Sequence, residues 1–113
     1  MKGIETLTKN KDFQRVYLRG KSFVSPVLVT YVLKNNKGLN RFGITTSKKI
    51  GKAVKRNRAR RIIKEAFFQM NLKGSGFDLV FVARGKTSQL KTPDILKAME
   101  DHFKKAKIFN ALN

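Results

Sequence analysis

A chain of 113 residues, 41% of them hydrophobic, suits one compact domain with a core of its own. Its 26 Lys and Arg against 7 Asp and Glu give a formal net charge of +19, which points to a polyanionic partner, nucleic acid ahead of an anionic membrane surface. The absence of cysteine excludes disulfides and thiolate metal sites, no stretch has the length of a membrane span, and MKGIETLTKN lacks the apolar run of a signal peptide, so the expected location is the cytoplasm.

In chain order, the first predicted element is a helix from Lys9 to Arg19, with Thr8 or Asn10 as cap, Asp12 in the first turn and Gly20 as stop. Its apolar face is Phe13, Val16 and Tyr17. Ser25 and Pro26 break the chain, and Val27 to Leu33 then alternates as a strand, with Val27, Val29, Tyr31 and Leu33 on one face and Leu28, Thr30 and Val32 on the other. Asn35 to Asn40 is a turn. A second strand from Arg41 to Ser47 sets Phe42, Ile44 and Thr46 against a small polar face of Arg41, Gly43, Thr45 and Ser47. A third, Phe77 to Arg84, follows a loop at Lys73 to Gly76, carries Phe77, Leu79, Phe81 and Ala83 on one side, and ends at the cations Arg84 and Lys86. The last element is a helix with Thr92 as cap and Pro93 at its first position, striped by Ile95, Ala98, Met99, His102, Phe103 and Ala106. Lys104, Lys105 and Lys107 sit at its C-terminal end, where the helix dipole favours cations.

Between the second and third strands lies SKKIGKAVKRNRARRIIKE, Ser47 to Glu65, where nine of the seventeen residues from Lys48 to Lys64 are Lys or Arg. No Asp or Glu occurs between Asp12 and Glu65 to offset them. Wound as a helix, the stretch keeps an apolar stripe of Ala59, Ile63, Ala66, Phe67 and Met70, with Ile62 at its edge, and turns Asn57, Arg61 and Lys64 away from it, Arg58 and Arg60 flanking. Lys52, Lys55 and Arg56 fall at the helix start, where cations oppose the dipole, so stability does not account for them. A phosphate does, because a helix N-terminus offers unpaired N–H groups that Lys and Arg side chains complete into an anion site. The order helix, strand, strand, helix, strand, helix predicts an α+β fold, a single-domain α/β sandwich with a small mixed sheet packed by helices.

Catalytic groups are scarce. The carboxylates show no acid and base pairing, His102 stands alone on an apolar stripe, Ser47 and Ser88 lack partners for a triad, and no metal-ligand cluster is present. The nine Phe and two Tyr suit either a core or stacking on unpaired bases, and the core is the commoner fate of each.

The run SKKIGKAVKRNRARRIIKEAF resembles the signature of the bacterial ribonuclease P protein subunit. The likeness rests on Arg56, Asn57 and Arg58, on the preceding Ser47, Lys48, Lys49, Ile50 and Gly51, and on the following Arg60, Arg61, Ile63 and Lys64. The flanks KNKDFQRVYLRG, LVTYVL and FDLVFVARGKT fit as well, so the likeness runs along about the whole chain. It implies a ribosomal-protein-S5-domain-2-like fold with a left-handed βαβ crossover, against the usual right-handed preference. It also implies a ribonucleoprotein endonuclease that removes the 5' leader of precursor tRNA, in which an RNA subunit holds the catalytic magnesium. The protein itself then carries no catalytic residue, metal or cofactor. Its partners are the catalytic RNA and precursor tRNA, with no DNA and no membrane. By the same resemblance the RNA-binding positions are Lys48, Lys49, Lys52, Lys55, Arg56, Asn57, Arg58, Arg60, Arg61 and Lys64. The leader cleft takes Phe13, Tyr17 and Tyr31, with Thr45, Ser47, Arg84 and Lys86. Tyr17 stands where the family often has Phe, which keeps the ring and adds a hydroxyl. Two other readings fit the composition: a structural protein bound to ribosomal RNA, separated by the identity of the co-purified RNA, and a self-sufficient nuclease, separated by assay without RNA.

Overall fold

The alternation in the three central segments builds the middle of a five-stranded mixed sheet in this computed structural model, which describes residues 4–72 and 76–107. The elements are β1 (Ile4–Thr6), α1 (Asn10–Arg19), β2 (Lys21–Val24), β3 (Leu28–Lys34), β4 (Asn40–Thr45), α2 (Ala53–Met70), β5 (Phe77–Ala83) and α3 (Thr92–Lys105). Single 3-10 turns at Lys48–Ile50 and Thr87–Gln89 precede α2 and α3. The sheet order is β1-β4-β5-β3-β2, with β4 parallel to both β1 and β5, and β3 antiparallel to both β5 and β2. This is the α+β class expected.

Two strands escape the sequence pattern because each is too short to show one. β1 has three residues and pairs Ile4 with Asn40 and Thr6 with Phe42; β2 sends only Phe23 toward the core, opposite Thr30. Two helix starts also differ. Helix α1 begins after Lys9 with no side-chain cap, and Asn10 is its first residue rather than its cap. Helix α3 is capped at Lys91, whose N–H is taken by the Asp94 carboxylate at 3.0 Å, while Thr92 lies inside the helix and donates its hydroxyl to Glu65 of α2 at 2.9 Å. The predicted loop at 73–76 falls outside the described residues except for Gly76.

One face of the sheet, with Leu28, Val32, Phe42, Leu79, Phe81 and Ala83, is sealed by α2 and α3. A run of rings ties the layers together: Phe42 to Phe67 at 4.9 Å, Phe67 to Phe81 at 5.4 Å, and Phe81 to Phe103 at 6.2 Å between centroids. Truncating a buried ring of this kind costs about 3–5 kcal/mol. His102 belongs to this core, 1% exposed, with Nδ1 at 2.8 Å from the Thr30 hydroxyl.

The opposite face carries α1. Val16 packs on Val80 and Leu7, and the Phe13 ring lies directly over Gly43, where a Cβ would sit 2.5 Å from it. Beside them the Asp78 carboxylate, 1% exposed, accepts from Arg41 at 2.8 and 2.7 Å, Asn35 at 2.7 Å and Arg15 at 3.4 Å. Arg15 belongs to α1, as does Asp12, which it bonds at 2.9 Å and which lies 4.0 Å from Arg41, so the helix is pinned to the sheet through charge as well as packing. Burial alone would push Asp78 up, but the bonds from Arg41 and Asn35, with Arg41's charge and Arg15, outweigh it and hold its carboxyl below the ordinary range. With only ten residues, about 15 Å of helix, α1 leaves part of this face open.

Candidate nucleic-acid interface

The uncovered part of the α1 face is a cleft with an apolar floor. Register sets Thr45, Val82 and Val29 side by side across β4, β5 and β3, followed by Val24 of β2. The first three are half-buried and Val24 is 63% exposed. Tyr17 and Tyr31 close the cleft on the α1 side, edge to face at 5.0 Å between centroids, and Phe13 stands 6.5 Å from Tyr17. Phe13 and Tyr17 are one turn apart on α1 and so share a face. The Tyr17 hydroxyl lies 2.6 Å from that of Thr45, which fixes its ring against β4. Among the described residues the Tyr31 hydroxyl has no hydrogen-bond partner, so it is available to a ligand.

Of the seven residues assigned to this cleft by resemblance, Phe13, Tyr17 and Thr45 line a cavity at its β4 edge, together with Asn10, Gln14, Ile44, Thr46 and Arg60. Tyr31 adjoins through the Tyr17 ring. Ser47, Arg84 and Lys86 are exposed and lie outside that edge cavity: the Ser47 hydroxyl accepts from Lys49 N at 3.3 Å and caps the first 3-10 turn, while Arg84 and Lys86 follow the end of β5, the strand that supplies Val82 to the floor. Sequence reasoning overlooks Val29 and Val82 as floor residues. A signal exists, since β3 and β5 alternate apolar residues on both faces and a ten-residue helix is too short to cover the second face.

The basic helix is built for exposure. Gly51, at φ 133°, joins the first 3-10 turn to α2 in a conformation that side chains resist, and the Lys55 stem packs against it. Lys48 and Lys49 are exposed in that turn, and Lys52 is the helix cap. Along α2, Lys55, Asn57, Arg58, Arg60, Arg61 and Lys64 are exposed and Arg56 is half-buried. Among the described residues none of the nine cations from Lys48 to Lys64 forms an ion pair. They spread over more than one side of the helix. Arg58 donates through Nε to Ser88 O at 2.8 Å, on the flank toward the turn before α3. Arg60 donates to the Thr46 hydroxyl at 2.9 Å, on the opposite flank beside the cleft. Asn57 and Arg61 face outward between them, with Val54, 79% exposed, one turn nearer the helix start.

A surface of unpaired cations on a helix start, meeting an open cleft of aromatic and β-branched side chains, is equipped to hold phosphates and unpaired bases at once. No described helix is long and apolar enough to cross a membrane. The Ribonuclease P family profile matches residues 1–107. The Ribonuclease P protein component of Clostridium botulinum strain Loch Maree is 45% identical over 107 residues, covering 92% of this chain and 96% of the relative. Two solved structures of the Staphylococcus aureus RNase P protein are similar in fold. One, at 2.0 Å, has a TM-score of 0.78 and 37% identity over 92% of this chain and 96% of the other. The second, a mutant described as defective in mRNA degradation activity, has a TM-score of 0.80 and 35% identity over 90% and 87%. On a profile that spans nearly its whole length and relatives this similar, the chain belongs to the ribonuclease P protein component family.

Proposed function

We propose that this chain is the protein subunit of a ribonuclease P holoenzyme that removes the 5' leader from precursor tRNA. The basic segment from Lys48 to Lys64 binds the catalytic RNA, the α1 cleft takes the single-stranded leader, and the RNA subunit holds the magnesium ions and performs the cut. The observation that carries this reading is the meeting of two differently equipped surfaces at one end of the sheet. One has unpaired cations for a folded RNA backbone, and the other has half-exposed rings and valines for unpaired bases.

Most side chains capable of acid and base work are engaged structurally, and the remaining two, Glu5 and Glu100, are exposed on separate elements, which supports leaving the chemistry to RNA. His102 is sealed in the core against Thr30. Asp12 and Asp78 are held by arginines, Asp101 by Lys105, Asp94 caps α3 and Glu65 bonds Thr92. The reading sets the protein in the cytoplasm, with neither DNA nor membrane as partner.

Two measurements test it. RNA-free protein with magnesium should leave both precursor tRNA and an unstructured mRNA intact, and adding the ribonuclease P RNA should restore cutting at the mature 5' end. Metal-dependent cleavage by the RNA-free protein would move the chemistry onto this chain. Isolation of the tagged protein with ribosomal RNA, and without ribonuclease P RNA, would favour a ribosomal role instead.

A further inference from the structure

Strand β1 accompanies β4 only as far as the Thr6–Phe42 pair, after which Leu7 N donates to Phe42 O at 2.8 Å and the chain leaves for α1. From Ile44 to its end at Thr45, and on through Thr46, the outer edge of β4 has no strand beside it among the described residues. Helix α1 lies on one face of the sheet and α2 on the other, so this bare edge is the bottom of a groove between them. Its wider part, about 380 Å³, runs from Tyr17 and Thr45 past Phe13 to Arg60. A narrower part of about 190 Å³ continues past Phe13, Ile44 and Arg60 to Thr6, Leu7, Phe42 and Lys64. Phe13, Ile44 and Arg60 belong to both parts, and Tyr17 and Thr45 join the wider one to the cleft.

The chemistry of the two walls is unlike. The α1 side offers Asn10, Phe13 and Gln14, amides and a ring suited to base edges and faces. The α2 side offers Arg60 and Lys64, both exposed and without an ion pair, and the Thr46 hydroxyl holds the Arg60 guanidinium over the strand edge. Lys64 is steadied from behind by the Phe68 ring, 5.8 Å from its Nζ. A narrow groove with cations on one wall and base-reading groups on the other, opening from a leader cleft, fits one occupant: more of the same single strand.

We propose that Arg60 and Lys64 bind leader phosphates in this edge groove rather than the catalytic RNA, so that the basic helix grips two RNAs on different flanks. The inference rests on the leader-binding reading above and adds a second stretch of leader beyond the α1 cleft. It withdraws Arg60 and Lys64 from the catalytic-RNA surface assigned above and divides the basic helix by role: Asn57 and Arg61, facing outward, remain with the catalytic RNA.

The test uses reconstituted holoenzyme, with Arg60→Gln, Lys64→Gln and Arg61→Gln compared with the wild type. Affinity is measured for mature tRNA and for precursors with leaders of graded length, over a series of salt concentrations, alongside affinity of the protein for the catalytic RNA. Arg60→Gln and Lys64→Gln should each lower affinity only for the longer leaders, and make the log–log salt slope for those precursors shallower by about 0.7, the value of one single-strand phosphate contact. Their affinity for the catalytic RNA should match the wild type, and Arg61→Gln should behave in the opposite way. Arg60→Lys should recover most of the long-leader affinity, which a structural defect at this position would not allow.

The inference is overturned if Arg60→Gln and Lys64→Gln keep the wild-type dependence on leader length while losing affinity for the catalytic RNA. If the wild-type holoenzyme itself gains no affinity from any leader, the leader reading fails and takes this inference with it. If the wild type gains affinity that Tyr17→Ala abolishes while both groove variants retain it, the cleft stands and the edge groove alone is refuted.

Discussion

The Arg41 guanidinium holds the Asp78 carboxylate in two bonds, 2.8 Å from Nε and 2.7 Å from Nη2, on the sheet face under α1. Because the folded protein keeps this carboxyl ionised more readily than the unfolded chain does, the pair stabilises the fold fully above the unfolded value of about 3.9 and loses its effect as pH falls below that. Denaturant unfolding should therefore show stability dropping from about pH 4 downward. Asp78→Asn should cost about 1–3 kcal/mol at neutral pH, since it leaves a half-buried guanidinium with only Asp12, 4.0 Å away, and should flatten the acid decline. An acid limb as steep in Asp78→Asn as in the wild type would place the titrating group elsewhere.

His102 predicts a second pH window. Burial lowers its affinity for a proton; Lys105 acts in the same direction and Asp101 against it. The unfolded chain takes up that proton near the ordinary value of 6.5, so stability is complete above it and declines as pH falls through the interval below. His102→Leu should remove this decline while leaving the Thr30 hydroxyl buried without a partner, at about 1–3 kcal/mol. Combining it with Thr30→Val should recover most of that loss, and a double-mutant cycle measures the coupling.

Gly43 sets how closely α1 can approach the sheet. The Cβ of an alanine there would meet the Phe13 ring at 2.5 Å, so Gly43→Ala should drive the ring toward the cleft and cost about 1–3 kcal/mol. Leader affinity should fall with it. Phe13→Leu in the same chain should restore stability without restoring leader affinity, because the space is returned and the ring is not.

The two tyrosines should separate leader binding from folding. In reconstituted holoenzyme, Tyr17→Ala and Tyr31→Ala should each weaken binding of leader-bearing precursors by about 1–3 kcal/mol, the scale of one base stacked on one ring. Mature tRNA should bind as before. The tyrosines stay half-exposed in the free protein, so melting temperatures should shift little. Equal losses for precursor and mature tRNA would move the leader off this face.

The parts of the fold that the sequence makes legible are those in which period and burial coincide. Strands β3, β4 and β5 alternate strongly, and the stripe Ala59, Ile63, Ala66, Phe67 and Met70 is the buried face of α2. Strand β1 is illegible because its partner Asn40 is remote and three residues define no period. The Arg41–Asp78 pair joins positions 37 apart in sequence, and nothing local marks either residue as the other's partner. Arg60 is the instructive case. A helical wheel places it on the flank of the basic face, but which flank adjoins the cleft depends on the path of α2 across the sheet and on where β1 ends. Both are tertiary facts.

The parallel pairing of β4 with β5 has a kinetic consequence. Two parallel neighbours cannot be joined by a tight turn, so the central strands meet only after the chain between them has crossed the sheet, and that chain is α2 with its run of like charges. Self-repulsion in the connector then opposes the transition state for folding as well as the native state. Sulfate or pyrophosphate at millimolar concentration should raise the folding limb of the chevron far more than chloride at equal ionic strength, and change the unfolding limb much less. In the holoenzyme proposed above the polyanion best placed to do the same is the RNA itself, and the ribonuclease P RNA should then speed folding as sulfate does, a template for the polypeptide that later assists it.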